Sequence, residues 1–339
     1  MARSRILVVK LSSLGDTLHA LPAVAEIAKR LDAEVDWAVQ PAFAPLVECF
    51  ACVSRVVRVP RPSETRAWAR ALRALHRAPP YDLVLDLQGL LKSAIVARAA
   101  RAPRRVGPSF AREGSALFYT ETAGPRNRAR HAVEECLDTV RALGFEPLAE
   151  PAFPMRVPDV DPDALAPALA GRSGPRVAVA PFSRWATKNW PAASFSEAIR
   201  LLAAGRDARL YVIGGPGDRA GAEAIVRAAG VPAANLCGKL SLVESAGLLK
   251  RCAALLTNDS GPMHVAAALG VPCVVPFGPT SPDRTGPWGR GHVVLRAPDA
   301  CPLAPCRKRA CPRGDGACLA SISPRRAVDA VLSVLPPSP

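Results

Sequence analysis

The sequence predicts an α/β protein made of two parallel-sheet domains, and three observations carry that expectation. Short apolar runs alternate with helical stretches in both halves, a proline-rich segment interrupts the alternation near the middle, and 339 residues exceed the ~250 that one hydrophobic core usually fills. Strands are expected at residues 5–10, 34–39, 53–59 and 83–87, with helices between them, the first over 17–30. Strands that alternate with helices give a parallel sheet covered on both faces. Helical spacing returns at 131–143. Pro147, Pro151, Pro154, Pro158, Pro162, Pro167 and Pro175 then follow, a composition that suits a connector. The pattern restarts with strands at 176–180, 209–213, 254–257 and 273–277, and a last helix is expected over 324–335, with Pro324 in its first turn. The resulting division is a first domain over 1–157, a linker over 158–175, a second domain over 176–323 and a terminal helix and tail over 324–339. Two such Rossmann-like domains are expected to face each other across a cleft, with ligands at the carboxyl ends of the strands.

Composition narrows the class. Hydrophobic residues make up 49% and charged residues 22%, ordinary for a globular protein. No apolar run approaches the ~20 residues of a membrane span, and the four-residue run Ile6 to Val9 is too short for a signal peptide, so a cytoplasmic protein is expected. The net charge of +15 calls for an anionic partner. Between Arg55 and Arg112 stand thirteen Lys or Arg and three acids, so the charge is concentrated there. Arg66, Arg70, Arg73 and Arg77 recur at helical spacing, which reads either as a solvated face or as a docking face for phosphates. Ten cysteines in a cytoplasmic chain read as thiols. Cys301, Cys306, Cys311 and Cys318 cluster, but their spacing misses the usual zinc-knuckle pairs, and a loop of reduced thiols is the preferred reading over a structural zinc.

Candidate chemistry lies in the loops after strands. In the first, Lys10 to Asp16 (KLSSLGD), Asp16 stands at a helix start, where it can act as a base or merely as a cap. Residues 181–191 (PFSRWATKNWP) place Ser183, Arg184, Thr187 and Lys188 before a helix, a donor set that suits a diphosphate. Residues 214–218 (GGPGD) offer Asp218 to ribose hydroxyls. Residues 257–264 (TNDSGPMH) open a helix toward an anion, with His264 one turn inside it.

These segments together resemble the bacterial lipopolysaccharide heptosyltransferases of glycosyltransferase family 9 over nearly the whole chain. The motifs are residues 10–22 (KLSSLGDTLHALP), 81–93 (YDLVLDLQGLLKS), 105–107 (RVG), 109–119 (SFAREGSALFY), 130–134 (RHAVE), 187–191 (TKNWP), 258–269 (NDSGPMHVAAAL) and 277–282 (FGPTSP). The resemblance implies the GT-B fold and an inverting transfer of L-glycero-D-manno-heptose from ADP-heptose to Kdo-bearing lipid A. It implies Asp16 as the general base and Lys188 as the stabiliser of the departing diphosphate. Ser183, Arg184, Asp218, Leu240, Asp259, Ser260, Gly261 and His264 would hold the donor, and Ser12, Ser13, Gly15, Arg66, Arg70, Arg73 and Arg112 the acceptor. Where this chain has Ser183, Arg184 and Asp218, the family often has Thr, Thr and Glu. Segments 109–119 and 130–134 resemble heptosyltransferase I, whereas 258–263 and 306–318 resemble heptosyltransferase II; the first heptose transfer is preferred.

No metal or other cofactor is expected, because the only D-x-D sequences, Asp159 to Asp161 and Asp161 to Asp163, fall in the proline-rich segment. The partners expected are ADP-heptose, Kdo-bearing lipid A and the anionic inner-leaflet surface, met by a monomer at the cytoplasmic face of the inner membrane. A nucleic-acid binder is disfavoured because aromatics are only 5% and do not interleave with the basic residues. A dehydrogenase is disfavoured because no G-x-G-x-x-G follows a strand.

Overall fold

The computed structural model describes residues 3–127 and 129–337, and the chain divides into two compact units, Met1–Arg156 and Val157–Pro339. The first is built on strands β1 Ser4–Val9, β2 Ala33–Val39, β3 Arg55–Arg58, β4 Leu83–Asp86, β5 Arg104–Pro108 and β6 Glu121–Ala123, all paired in parallel in the order β3-β2-β1-β4-β5-β6. The strand β1 lies between β2 and β4, with Val8 level with Trp37 and Leu85. A strand flanked and covered on both sides needs an unbroken apolar run, which Ile6, Leu7, Val8 and Val9 supply, each buried.

Four helices of eight or more residues cover this sheet among the described residues: Leu14–Arg30, Thr65–Arg77, Leu91–Ala99 and Ala132–Ala142. The first starts three residues earlier than the expected 17. Its N-cap is Ser13, and the carboxylate of Asp16 accepts from the backbone N–H of Ser13 at 2.8 Å, so the acid fixes the helix start from inside the first turn. On Thr65–Arg77, Leu75 is buried among Leu7, Val9 and Val84, with Trp68 and Leu72 packed on that cluster. This leaves Arg66, Arg70, Arg73 and Arg77 exposed. In the RHAVE motif, Arg130 pairs with the buried Asp138, and His131 Nδ1 accepts from the N–H of Val133 at 3.1 Å. That motif builds a helix start.

The second unit repeats the plan. Strands β7 Arg176–Ala180, β8 Arg209–Val212, β9 Ala234–Asn235, β10 Ala254–Thr257, β11 Cys273–Pro276 and β12 Val293–Leu295 pair in parallel in the order β12-β11-β10-β7-β8-β9. In each unit the first strand is flanked by the second and the fourth. Strand order reverses there, the point in open α/β sheets at whose carboxyl edge ligands bind. The strands β5, β6, β9 and β12 were not expected from the sequence. Segments such as RRVGP and ETA are too short or too polar to carry an apolar run.

Residues 158–175, expected as a linker, fall inside the second unit. Asp163 pairs with Arg176 at 3.0 Å and with Arg209 at 3.4 Å, the first residues of β7 and β8. Asp161 caps the short helix Pro162–Leu165, Asp159 accepts from Arg251 at 2.8 Å, and Leu169 is buried. The prolines mark an irregular cover over the amino edge of the sheet, and the acids of both D-x-D sequences are spent holding it. The terminal helix Pro324–Val334 likewise belongs to this unit, with Ala327, Val328 and Val331 in its core.

Trp190 ties that helix to the strand loops. It is 1% exposed, its ring meets Phe195 edge to face at 5.0 Å, and its Nε1–H donates to the carbonyl of Ile322 at 3.0 Å. Trp190→Phe keeps the ring contact but leaves a buried carbonyl without its donor. We expect a loss of about 2 kcal/mol, read as a lower denaturant midpoint with an unchanged m-value.

Candidate active site

In the first unit, the loops after β1 and β4 meet at the strand-order reversal. Leu11 N–H donates to Gln88 Oε1 at 2.7 Å, and Gln88 Nε2 donates to Ser12 Oγ at 3.4 Å. The Lys10 ammonium donates to the carbonyl of Leu87. Ser13 reaches Asp16 Oδ2 through its N–H and also through its hydroxyl, at 2.8 and 2.7 Å, which holds the half-buried carboxylate in one orientation. The cap and the aimed carboxylate are therefore one arrangement. Gly15 is buried beside it.

Beneath this loop lies Asp86, fully buried. It accepts from the N–H groups of Gln88 and Gly89 at 2.8 and 3.2 Å and from the hydroxyl of Tyr119 at 2.7 Å. Burial pushes its carboxyl above the ordinary range, and these donors oppose the shift. Gly107 is required where Tyr119 crosses it, since a Cβ there would fall 2.1 Å from the ring. Arg112 belongs to the same edge, its N–H donating to the carbonyl of Gly89 at 2.9 Å.

The arginine helix stands differently. Thr65–Arg77 follows β3 and precedes β4, so it runs from the carboxyl edge of the sheet toward the amino edge. At 1.5 Å per residue, Arg73 lies about 10 Å further from the site loops than Arg66. Arg66, Arg70 and Arg73, expected from the sequence to contact the acceptor, therefore form an exposed stripe that leads away from these loops. A shallow cavity of about 480 Å³ lined by Leu72, Arg73, His76, Arg77 and Ala99 lies along it.

In the second unit the corresponding loops, after β7 and β10, are stapled by two asparagines. Asn258 donates to the carbonyl of Pro181 at 2.7 Å and to Asn189 Oδ1 at 3.3 Å, while its own Oδ1 accepts from the N–H of Trp190 at 2.9 Å. Asn189 Oδ1 also accepts from the N–H of Ser183 at 2.8 Å. The staple brings Lys188 Nζ within 2.6 Å of Asp259 Oδ2, with side chains 17% and 5% exposed. Thr280, from the loop after β11, donates to the same oxygen at 2.5 Å. Ser260 occupies the N-cap position of the helix Gly261–Ala268 next to this pair, and His264 sits half-buried in that helix. Arg184 is exposed on the β7 loop.

Two further donor-site candidates stand on the β8–β9 side. Asp218 Oδ2 accepts from the N–H of Gly215 at 2.8 Å. Leu240 follows a turn in which the N–H of Gly238 donates to the carbonyl of Gly214 at 3.0 Å. The sequence reading gave no role to Gln88, Asn189, Asn258, Trp185 or Thr280. The signal was present, as each lies within or beside a motif that also holds a candidate, but only the pairing of strands shows what each touches.

All ten cysteines are free thiols, and among the described residues no three His, Cys, Asp or Glu form a metal-holding group. Cys311 is partly exposed, and N–H groups of Gly316, Arg313 and Gly314 point at its sulfur and lower its pKa. Burial pushes Cys252 and Cys273 up to about 12. Limited iodoacetamide at pH 7.5 should therefore modify Cys311 before Cys252 or Cys273, an order that peptide mass spectrometry reads directly.

Comparison with known proteins supplies the context. Residues 67–315 match the family model described as glycosyltransferase family 9 (heptosyltransferase). Lipopolysaccharide heptosyltransferase 1 of Pseudomonas aeruginosa is 35% identical over 324 residues, 91% of this chain and 87% of the relative. The structure of Escherichia coli heptosyltransferase WaaC with ADP aligns at a TM-score of 0.77 and 27% identity, covering 97% of this chain and 99% of that one. The same enzyme with ADP-2-deoxy-2-fluoro heptose aligns at 0.76 and 26% identity, covering 97% and 99%. The two six-stranded parallel sheets are thus of the GT-B type.

Proposed function

The chain belongs to glycosyltransferase family 9, the heptosyltransferases, and from that premise we propose that it transfers heptose from ADP-heptose to the Kdo-bearing lipid A inner core, the first heptose step of lipopolysaccharide core synthesis. The observation that carries this reading is Lys188 held on Asp259 at 2.6 Å beside a helix N-terminus. An ammonium and open N–H groups at one point are what a departing diphosphate requires.

In the proposed reaction, Asp16 accepts the proton of the acceptor hydroxyl. The oxygen so freed bonds to the anomeric carbon as the bond from that carbon to the diphosphate oxygen breaks, and ADP leaves with the electron pair. Attack opposite the leaving group inverts the anomeric centre. Lys188, Ser183, Arg184 and the start of Gly261–Ala268 offset the charge that develops on ADP. Asp218 and Leu240 are assigned to the nucleoside, and Ser12, Ser13, Gly15 and Arg112 to the acceptor. No metal ion is needed in this scheme, because the protein supplies both the base and the positive charge.

Among the described residues, no helix is long and apolar enough to cross a membrane. The exposed stripe Arg66, Arg70, Arg73 and Arg77 suits the anionic headgroups and sugars of a lipid acceptor, which supports peripheral attachment at the cytoplasmic face of the inner membrane. A second reading, the next heptose transfer, is favoured by the likeness of 306–318 to heptosyltransferase II.

Purified protein given ADP-heptose with Kdo-bearing lipid A, or with the same lipid already carrying one heptose, should add one heptose to the first and none to the second, by product mass. Activity should persist in chelator, and a strict metal requirement would refute the scheme. Asp16→Asn should cost about 10²–10⁴ in kcat, and Lys188→Ala about 10²–10³, with circular dichroism unchanged. Arg66→Glu with Arg70→Glu should raise KM for the lipid acceptor and leave the affinity for ADP as it was; equal losses on both sides would count against the acceptor role of the stripe.

A further inference from the structure

The loop over 301–318 is fastened to the second unit on both sides of the Lys188–Asp259 pair. Thr187 Oγ1 donates to the carbonyl of Lys308 at 2.8 Å, and Thr187 immediately precedes Lys188. The N–H of Arg307 donates to the carbonyl of Pro279 at 2.7 Å, and Pro279 immediately precedes Thr280, which bonds Asp259. The loop's far end seats closely as well: a Cβ on Gly278 would lie 2.8 Å from Leu319 and 2.9 Å from the sulfur of Cys318. Two hydrogen bonds therefore set the segment Arg307 to Arg309 against the strand loops that hold the ion pair.

Arg309 is exposed, and its guanidinium carbon lies 4.8 Å from the ring centre of Trp185. The ammonium of Lys188 lies 5.0 Å from the same ring. One indole thus carries two cations that arrive from different loops. Their electrostatic situations differ. Lys188 is neutralised by Asp259, whereas among the described residues no carboxylate pairs with Arg309, and the loop's own acid, Asp315, is engaged by Arg313 at 2.9 Å. The lysine, its aspartate and Arg309 together carry one net positive charge, and without Arg309 they carry none. A diphosphate bears more than one negative charge, and a planar guanidinium resting on an aromatic face keeps its N–H edge available for two phosphate oxygens.

We propose that Arg309 is a diphosphate-recognising residue of the nucleotide-sugar site, presented by the 301–318 loop across Trp185 from Lys188. This inference rests on the donor reading given above. It assigns to the cysteine-bearing loop a part in donor binding, in which the loop closes over the β7 and β11 loops and supplies the charge that the buried ion pair cancels.

The test is equilibrium binding of ADP and AMP to the full chain, the variants Arg309→Ala, Arg309→Lys and Lys188→Ala, and Arg313→Ala as a control on the same loop. Wild type should prefer ADP to AMP. Arg309→Ala should weaken ADP about tenfold or more and AMP less than twofold, and should raise KM for ADP-heptose by a similar factor. Arg309→Lys should recover part of the loss, and Arg313→Ala should change neither ligand. If Arg309→Ala keeps the wild-type preference for ADP, or weakens ADP and AMP equally as a merely structural prop for Trp185 would, the proposal is overturned while the donor reading stands. If wild type itself shows no preference for ADP over AMP, the donor reading and the proposal fall together. Arg309→Lys retains the cation and its attraction to the indole face while losing the planar fork, so the comparison survives if the alanine variant folds poorly.

Discussion

The second unit is organised around the ion pair between Lys188 and Asp259. Burying two opposite charges costs desolvation that their attraction seldom exceeds, so such a pair is poor value as a stability device. Its worth is positional. A lysine on a flexible loop would sample many rotamers, whereas one held at 2.6 Å from an almost fully buried carboxylate is set in place before any ligand arrives. Everything nearby serves that geometry: Thr280 fixes the carboxylate, Asn258 and Asn189 fix the backbone of both loops, and Trp190 anchors the β7 loop into the core. Because the asparagine amides and the threonine hydroxyl are themselves bonded, the network leaves few groups unsatisfied, the condition under which a buried polar cluster holds one conformation.

The first unit uses the same strand order to present the opposite charge. There the loops after β1 and β4 carry Asp16, oriented by both donors of Ser13, above a second carboxylate, Asp86, that never reaches solvent. Asp86 gathers two backbone N–H groups and the Tyr119 hydroxyl, and so fixes the turn that puts Gln88 against Ser12. One acid organises the loop and the other is offered by it. Two units of one topology thus make an acid-bearing edge and a cation-bearing edge, with the difference lying in the residues that follow the strands.

The strongly basic composition divides in the same way. The stripe on Thr65–Arg77 is exposed and, among the described residues, lacks the buried partners that would hold each guanidinium at a fixed point, which suits a diffuse anionic surface. The cations at the second unit's edge are few and individually placed, which suits a discrete anion.

The sequence by itself determined the fold type, the positions of the principal strands and the loops that carry the candidate residues. A buried parallel strand must be a continuous apolar run, and the residue following it must lie at the carboxyl edge; both rules are local and survive without coordinates. What only the tertiary structure decided is which loops meet. Lys188 and Asp259 are far apart in the chain and adjacent because β7 pairs with β10, as Ser12 and Gln88 are because β1 pairs with β4. The proline-rich stretch could not be told from a connector by composition, since it is the ion pairs of Asp159 and Asp163 with distant arginines that bind it to the second unit. Periodicity placed four arginines on one helix face, but the direction in which that helix crosses the sheet decides how far each stands from the site, and direction is a property of strand order rather than of spacing.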